Sequence, residues 1–333
     1  MKQLGIFAIC LAFFSCKGDG SLMLPTASGE MGELVLVMSP QMLRNTPLKD
    51  SVTAYFHREM KGLPQGEQYF KVYAVDDDNF GNVFKIHRNV LLFTEKKDQA
   101  KPGYATKENA WAKGQLVVQV LAKDADGFQE FFNKNKAMID GIFWEKEMER
   151  MGAEFAKIAN QTVCKDFETS TSVKLNIPEG FYTITAGKNF AYAKHEATKS
   201  AGKGLSAEIN RGVLVYTFPY RSKGIFTKEK MLALRDSLTM ANIKGSKDSS
   251  MMIVERRLPH DSTTFTWNGQ LAMKMKGLWR INNEFKGGPY VSILTYDPKK
   301  NRAIFLDGFV YAPNFNKRNY IFQVEGILRS AKF

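Results

Sequence analysis

Residues 290–311 read YVSILTYDPKKNRAIFLDGFVY, and this stretch decides the fold class. Tyr290 to Tyr296 and Ala303 to Tyr311 are β-prone runs on either side of the Asp297-Pro298 turn, which predicts a long antiparallel hairpin. Downstream, a helix from about Asn316 turns Tyr320, Ile321, Val324, Ile327 and Leu328 inward at three- and four-residue spacing. Upstream, Val173 to Ile177, Phe181 to Ala186, Val213 to Tyr216 and Met251 to Val254 read as strands. Thr227 caps a helix carrying Met231, Leu234 and Leu238 on its apolar side.

The earlier part of the chain has the same grammar. Glu33 to Met38, Phe70 to Val75, Val90 to Phe93 and Leu116 to Leu121 read as strands. Thr46-Pro47 opens a helix with Leu48, Val52, Tyr55, Phe56 and Met60 on one side, closed by Gly62. A long helix follows from about Asp126 to Ile158, and Gly141 marks a kink within it. The polar stretch Asn160 to Ser172 reads as a separator. Gln115 to Asn133 and Gly212 to Leu238 both run strand, connection, helix, the pattern of a remote duplication. The expectation is therefore an α+β protein of two related-looking halves, 33–165 and 166–333. Each would be a mostly antiparallel or mixed sheet with helices packed on one face.

The first 32 residues say where the body sits. Met1-Lys2, the apolar run Leu4 to Phe14 and the small Ser15 before Cys16 have the form of a secretory signal. Such a run is too short for a helix to cross ~30 Å of hydrocarbon, which takes about 20 residues. Ser15-Cys16 looks like a bacterial lipobox, so residues 1–15 leave and Cys16 becomes the lipidated N-terminus. Residues 16–32 are then a flexible tether. Stable anchoring needs more than one acyl chain, since each buried methylene contributes ~0.8 kcal/mol. Cys10 departs with the signal and Cys16 carries lipid, which leaves Cys164 as a lone thiol without a disulfide partner.

Charge and motifs exclude more than they assign. The 47 Lys+Arg against 34 Asp+Glu give +13, but only 13 of the basic residues are Arg, the usual bidentate reader of base edges. That speaks against nucleic acid. His57, His87, His195 and His260 show no metal-ligand spacing, and Asp76-Asp77-Asp78-Asn79 fails the EF-hand frame. His260-Asp261-Ser262 contains triad residue types, but neighbours in sequence cannot form the relay. No phosphate loop or nucleophile elbow is present. No cofactor, metal or catalytic residue is called for.

Several motifs remain: Leu63-Pro64-Gln65-Gly66-Glu67 with Phe70, Arg88-Asn89, Gly277-Leu278-Trp279-Arg280, and Gly287-Gly288-Pro289-Tyr290. Asp307 to Pro313 and Lys317-Arg318 complete the set. Together they resemble a family of Bacteroidetes lipoproteins described only as a domain of unknown function. The resemblance implies an α+β envelope lipoprotein and carries no activity, substrate or cofactor. On physical grounds, Gly287-Gly288-Pro289 reads as a turn admitting positive φ, with Trp279 packed behind it seeking an acceptor. Arg88 pairs with the Asp76 to Asp78 run or holds an anionic ligand.

The sequence thus points to an outer-membrane lipoprotein, its periplasmic side favoured over the surface, held by lipid on Cys16. It would bind or scaffold an envelope protein or glycan through an exposed aromatic and basic patch. The candidate residues are Arg88, Trp279, Arg280, Gly287, Gly288, Tyr290, Lys317 and Arg318. The rival reading is a hydrolase or transferase acting on cell wall or glycan, with carboxylates assembled by the fold.

Overall fold

The computed structural model describes residues 24–44, 46–202 and 205–333. Cys16 and the signal-like segment lie outside the described residues. In chain order the elements are β1 (Glu33–Met38), α1 (Pro40–Arg44), α2 (Thr46–His57), β2 (Lys71–Asp76), α3 (Asn82–Lys85), β3 (Asn89–Glu95), β4 (Gly103–Glu108) and β5 (Leu116–Ala122). Then come α4 (Ala125–Lys157), α5 (Gln161–Thr171), β6 (Phe181–Gly187), β7 (Phe190–Gly202), β8 (Leu205–Pro219) and α6 (Lys228–Asn242). The last are β9 (Met252–Val254), β10 (Asp261–Trp267), β11 (Gln270–Ile281), β12 (Gly287–Asp297), β13 (Arg302–Tyr311) and α7 (Arg318–Arg329).

The α+β class holds, but the two sheets are built differently. The first has order β2-β1-β3-β5-β4 with parallel β2-β1-β3-β5 and an antiparallel edge strand β4. Its central strands are continuous aliphatic runs because both faces are covered. Leu34, Leu36 and Leu91 meet α2 and α4, while Val35, Val37 and Val90 meet Phe80, Phe84 and Trp111. The second sheet, β10-β11-β12-β13-β8-β7-β6, is antiparallel throughout, with β9 added beside β11. The expected hairpin is β12–β13, in register from Tyr290 opposite Phe309 to Asp297 opposite Arg302.

Helices cover both faces of this second sheet, not one. Val213, Val215, Ile304 and Leu306 pack towards α4, α5 and α7. Leu214, Tyr290 and Phe305 pack towards Met231 and Leu232 of α6. The strand–helix similarity between residues 115–133 and 212–238 therefore joins a parallel strand to an antiparallel one, and the topologies do not repeat.

Helix α4 is the spine. Asp124 caps it through the Gly127 N–H at 2.9 Å, and it stays helical through Gly141. At 33 residues it is about 50 Å long. Phe128, Phe132, Ile139 and Phe143 serve the first core, and Trp144, Met148 and Met151 serve the second. Gly326 of α7 allows a close crossing, since a Cβ there would lie 2.2 Å from the Met151 sulfur. Two local expectations change. Asn160 to Ser172 is mostly helix α5, with Val163 and Phe167 buried, and Val173 to Ile177 forms no ladder beyond the Lys174–Lys332 bridge.

Candidate functional site

Along β7 the outer face of the second sheet presents Tyr192, Lys194 and Glu196; along β8 it presents Glu208 and Asn210. This is the period-2 alternation of a strand with one face open to solvent. Helix α6 covers the end of that face around Leu214 and Phe305 and stops at Asn242. Where it stops, the sheet face stays open as a groove of about 660 Å³, walled on one side by residues 242–246.

The back of the groove is aromatic. Trp279, Phe309 and Tyr192 are buried, Tyr311 is half-buried, and Phe285 stands fully exposed at the lip. The residue before Phe285 has its side chain tied down. The neighbouring Glu284 carboxylate accepts from Ser246 N–H (2.6 Å), Lys247 N–H (3.1 Å) and the Ser250 hydroxyl (2.6 Å). The Ser250 bond leads in holding the Glu284 carboxyl at about 2. Asn283, at φ +63°, turns the chain into the hairpin tip.

The polar groups of the groove are mixed in sign. Lys194, Lys244 and Lys286 face Glu196, Glu208 and Glu284. Lys286 lies 4.6 Å over the Tyr311 ring and 3.8 Å from Glu208. Asn210, 2% exposed, donates through Nδ2 to Glu208 at 2.6 Å, while its Oδ1 has no hydrogen-bond partner. Hydrogen bonds from Lys194 and Tyr182 draw Glu196 below the ordinary carboxylate value, and the Tyr182 phenol is pushed up to about 12. A glycosidase general acid needs the opposite shift.

A second cavity, about 380 Å³, lies between the two sheet units. Its cations are matched with carboxylates. Lys61 meets Asp261 at 2.9 Å, Arg58 meets Asp140, and Arg329 meets Glu145. Lys274 and Lys276 share the fully buried Glu325 at 2.7 and 2.9 Å. Burial pushes the Glu325 carboxyl up, but the two ammonium groups outweigh it and hold it at about 2; burial lowers Lys276. The Trp144 ring lies 4.7 Å beneath the Lys276 ammonium and 4.5 Å from the Phe322 ring.

Residues 160–330 match the model of the Domain of unknown function (DUF4837). The chain belongs to that family. Residues 27–156 match a second model, the Domain of unknown function (DUF8532). No curated protein matches the chain. Among solved structures, a point mutant of protein Mog1 is similar over 48% of this chain and 89% of its own, at 13% identity and a TM-score of 0.28.

In this DUF4837 member the residues singled out by sequence scatter. Trp279 reaches the groove as its back wall and finds its acceptors, Pro289 O at 3.2 Å and Val310 O at 3.3 Å. Trp279 and Tyr290 are 2% and 0% exposed, which removes both from any surface patch. Tyr290 packs beneath the Arg235 guanidinium and bonds to His260 Nδ1 at 2.9 Å. Gly287 and Gly288 lie in β12 without positive φ. They are needed for close approach, because a Cβ at Gly288 would lie 2.0 Å from Val310 O. Arg280 pairs with Glu255 at 3.3 Å. Arg88 pairs not with the Asp76 to Asp78 run but with Glu147 at 2.7 Å, because α4 carries that carboxylate beneath the start of β3. Lys317 and Arg318 open α7, where their backbone N–H groups donate to Glu67 at 2.6 and 2.9 Å. Two of the sequence motifs thus meet, and they tie α7 to the first sheet's side of the molecule.

Asn210, Glu196 and Glu208 were not singled out by sequence. Their signal is the aromatic–charged alternation of β7 and β8, visible only once the strands are placed. Among the described residues, no helix is long and apolar enough to cross a membrane, and no cluster of His, Cys, Asp and Glu could hold a metal.

Proposed function

We propose that this protein is a non-enzymatic binding module of the cell envelope, held to the membrane by lipid on Cys16, which presents the groove beside α6 to an envelope component. One observation carries the binding reading: a fully exposed Phe285, next to the tied-down Glu284 side chain, at the mouth of a cavity lined by aromatic rings. An aromatic ring left in water gains when a partner covers it. Glu196 and Glu284 are both held below the ordinary carboxylate value, so neither suits the protonated general acid that glycan hydrolysis needs. The Ser15-Cys16 junction supports the anchor.

Two variants separate the parts. Cys16→Ala should release the chain from membranes while leaving it able to cosediment with isolated, lipid-free envelope material. Adding Phe285→Ala and Tyr311→Ala should abolish that cosedimentation. Membrane retention of Cys16→Ala removes the anchor; undiminished sedimentation of the triple variant removes the groove.

A further inference from the structure

The groove has chemistry specific enough to name a ligand class, and the inference rests on the binding reading above. Its three Lys and three Glu cancel, so it offers no net field to a charged polymer, and either sign of ligand charge would meet repulsion. Strand addition by a peptide is blocked in place: β7 lies between β6 and β8, and its backbone groups are spent in those ladders. What the groove does offer is flat apolar surface, from Phe285 and Tyr311, beside planar hydrogen-bonding groups, from Asn210 and Glu208.

The decisive group is Asn210. A carbonyl oxygen buried to 2% exposure without a donor is costly, and few such groups persist in folded proteins. Asn210 lines the cavity, and its Oδ1 is sealed from water in the free protein, so a ligand hydroxyl completes it as the side chain turns outward. Glu208, already accepting from the Asn210 amide, has further lone pairs for an adjacent hydroxyl. Aliphatic C–H faces on one side and neighbouring hydroxyls on the other describe a pyranose ring. We propose that the groove binds a neutral oligosaccharide, stacking a sugar face on Phe285 and Tyr311 and donating a hydroxyl to Asn210 Oδ1. The volume of about 660 Å³ suits a short segment of chain, within the range of small-molecule sites.

The test uses the detergent-solubilised full chain, titrated calorimetrically with neutral tetrasaccharides of glucose, xylose and N-acetylglucosamine, and with polygalacturonate and a polylysine peptide. The expected result is saturable binding of at least one neutral sugar, with an affinity unchanged by added salt. Phe285→Ala should weaken it about five- to tenfold, Phe285→Trp should restore it, and Asn210→Leu should abolish it. Phe285 is fully exposed, so its variants test the site even where Asn210→Leu fails to fold. Salt-sensitive binding of a charged polymer, lost in Phe285→Ala, would overturn the sugar and leave the groove standing. Sugar binding indifferent to Phe285→Ala would overturn both. Absence of binding to every neutral sugar overturns the oligosaccharide assignment.

Discussion

The outer groove and the cleft between the sheet units contain the same kinds of side chain, yet they are wired differently. In the cleft each lysine and arginine has a carboxylate, and two of the pairs, Lys61–Asp261 and Arg329–Glu145, join the two sheet units. Each region also buries an oxygen without a donor, Asp140 Oδ1 in the cleft and Asn210 Oδ1 in the groove; what the groove adds is a phenyl ring at Phe285 that lacks cover. Internal pairing marks a contact whose partner is the protein itself. An uncovered aromatic ring at the mouth of a groove marks a contact whose partner is elsewhere.

The largest break in that comparison should come at Glu325. Glu325→Ala leaves Lys274 and Lys276 facing each other without a counter-charge, and we expect a loss of about 3–5 kcal/mol in denaturant-measured stability. A loss below about 1 kcal/mol would show the cleft to be open to water and not a clamp. Acid sharpens the same point. Glu325 is held at about 2 in the folded protein against an ordinary 4.5, so its contribution is complete above about pH 5 and is lost as pH falls towards 2. A plot of melting temperature against pH should fall over that window, and Glu325→Gln should flatten it. The smallest effect belongs to the groove: Phe285→Ala should change stability by less than about 0.5 kcal/mol, as for a surface site. A clear destabilisation there would make Phe285 a structural residue and erase the contrast.

Much of the fold was legible because burial imposes period. Strands β1, β3, β5, β12 and β13 are aliphatic runs, and α4, α6 and α7 carry their apolar residues at helical spacing. Strand β4 was missed because Gly103–Glu108 is an exposed edge with no apolar stripe. Helix α5 was missed because its anchors, Val163 and Phe167, are sparse in a polar stretch. At Gly287 and Gly288 the sequence shows freedom of φ but not the approach of a neighbouring carbonyl, so it suggests a turn where the structure has a strand. The candidate site was legible only at Trp279 and in the aromatic richness around it. Asn210 and Glu208 come from a strand whose neighbours in space lie up to about 100 residues away in the chain, and pairing of that kind has no local signature.

The seam between α4 and α7 bears on how the chain is made. Met151 waits for Gly326, and Trp144 for Phe322, so a surface laid down before residue 152 stays greasy and uncovered until residues near 326 arrive. A nascent chain stalled between those points would display that strip to every chaperone and protease it passes.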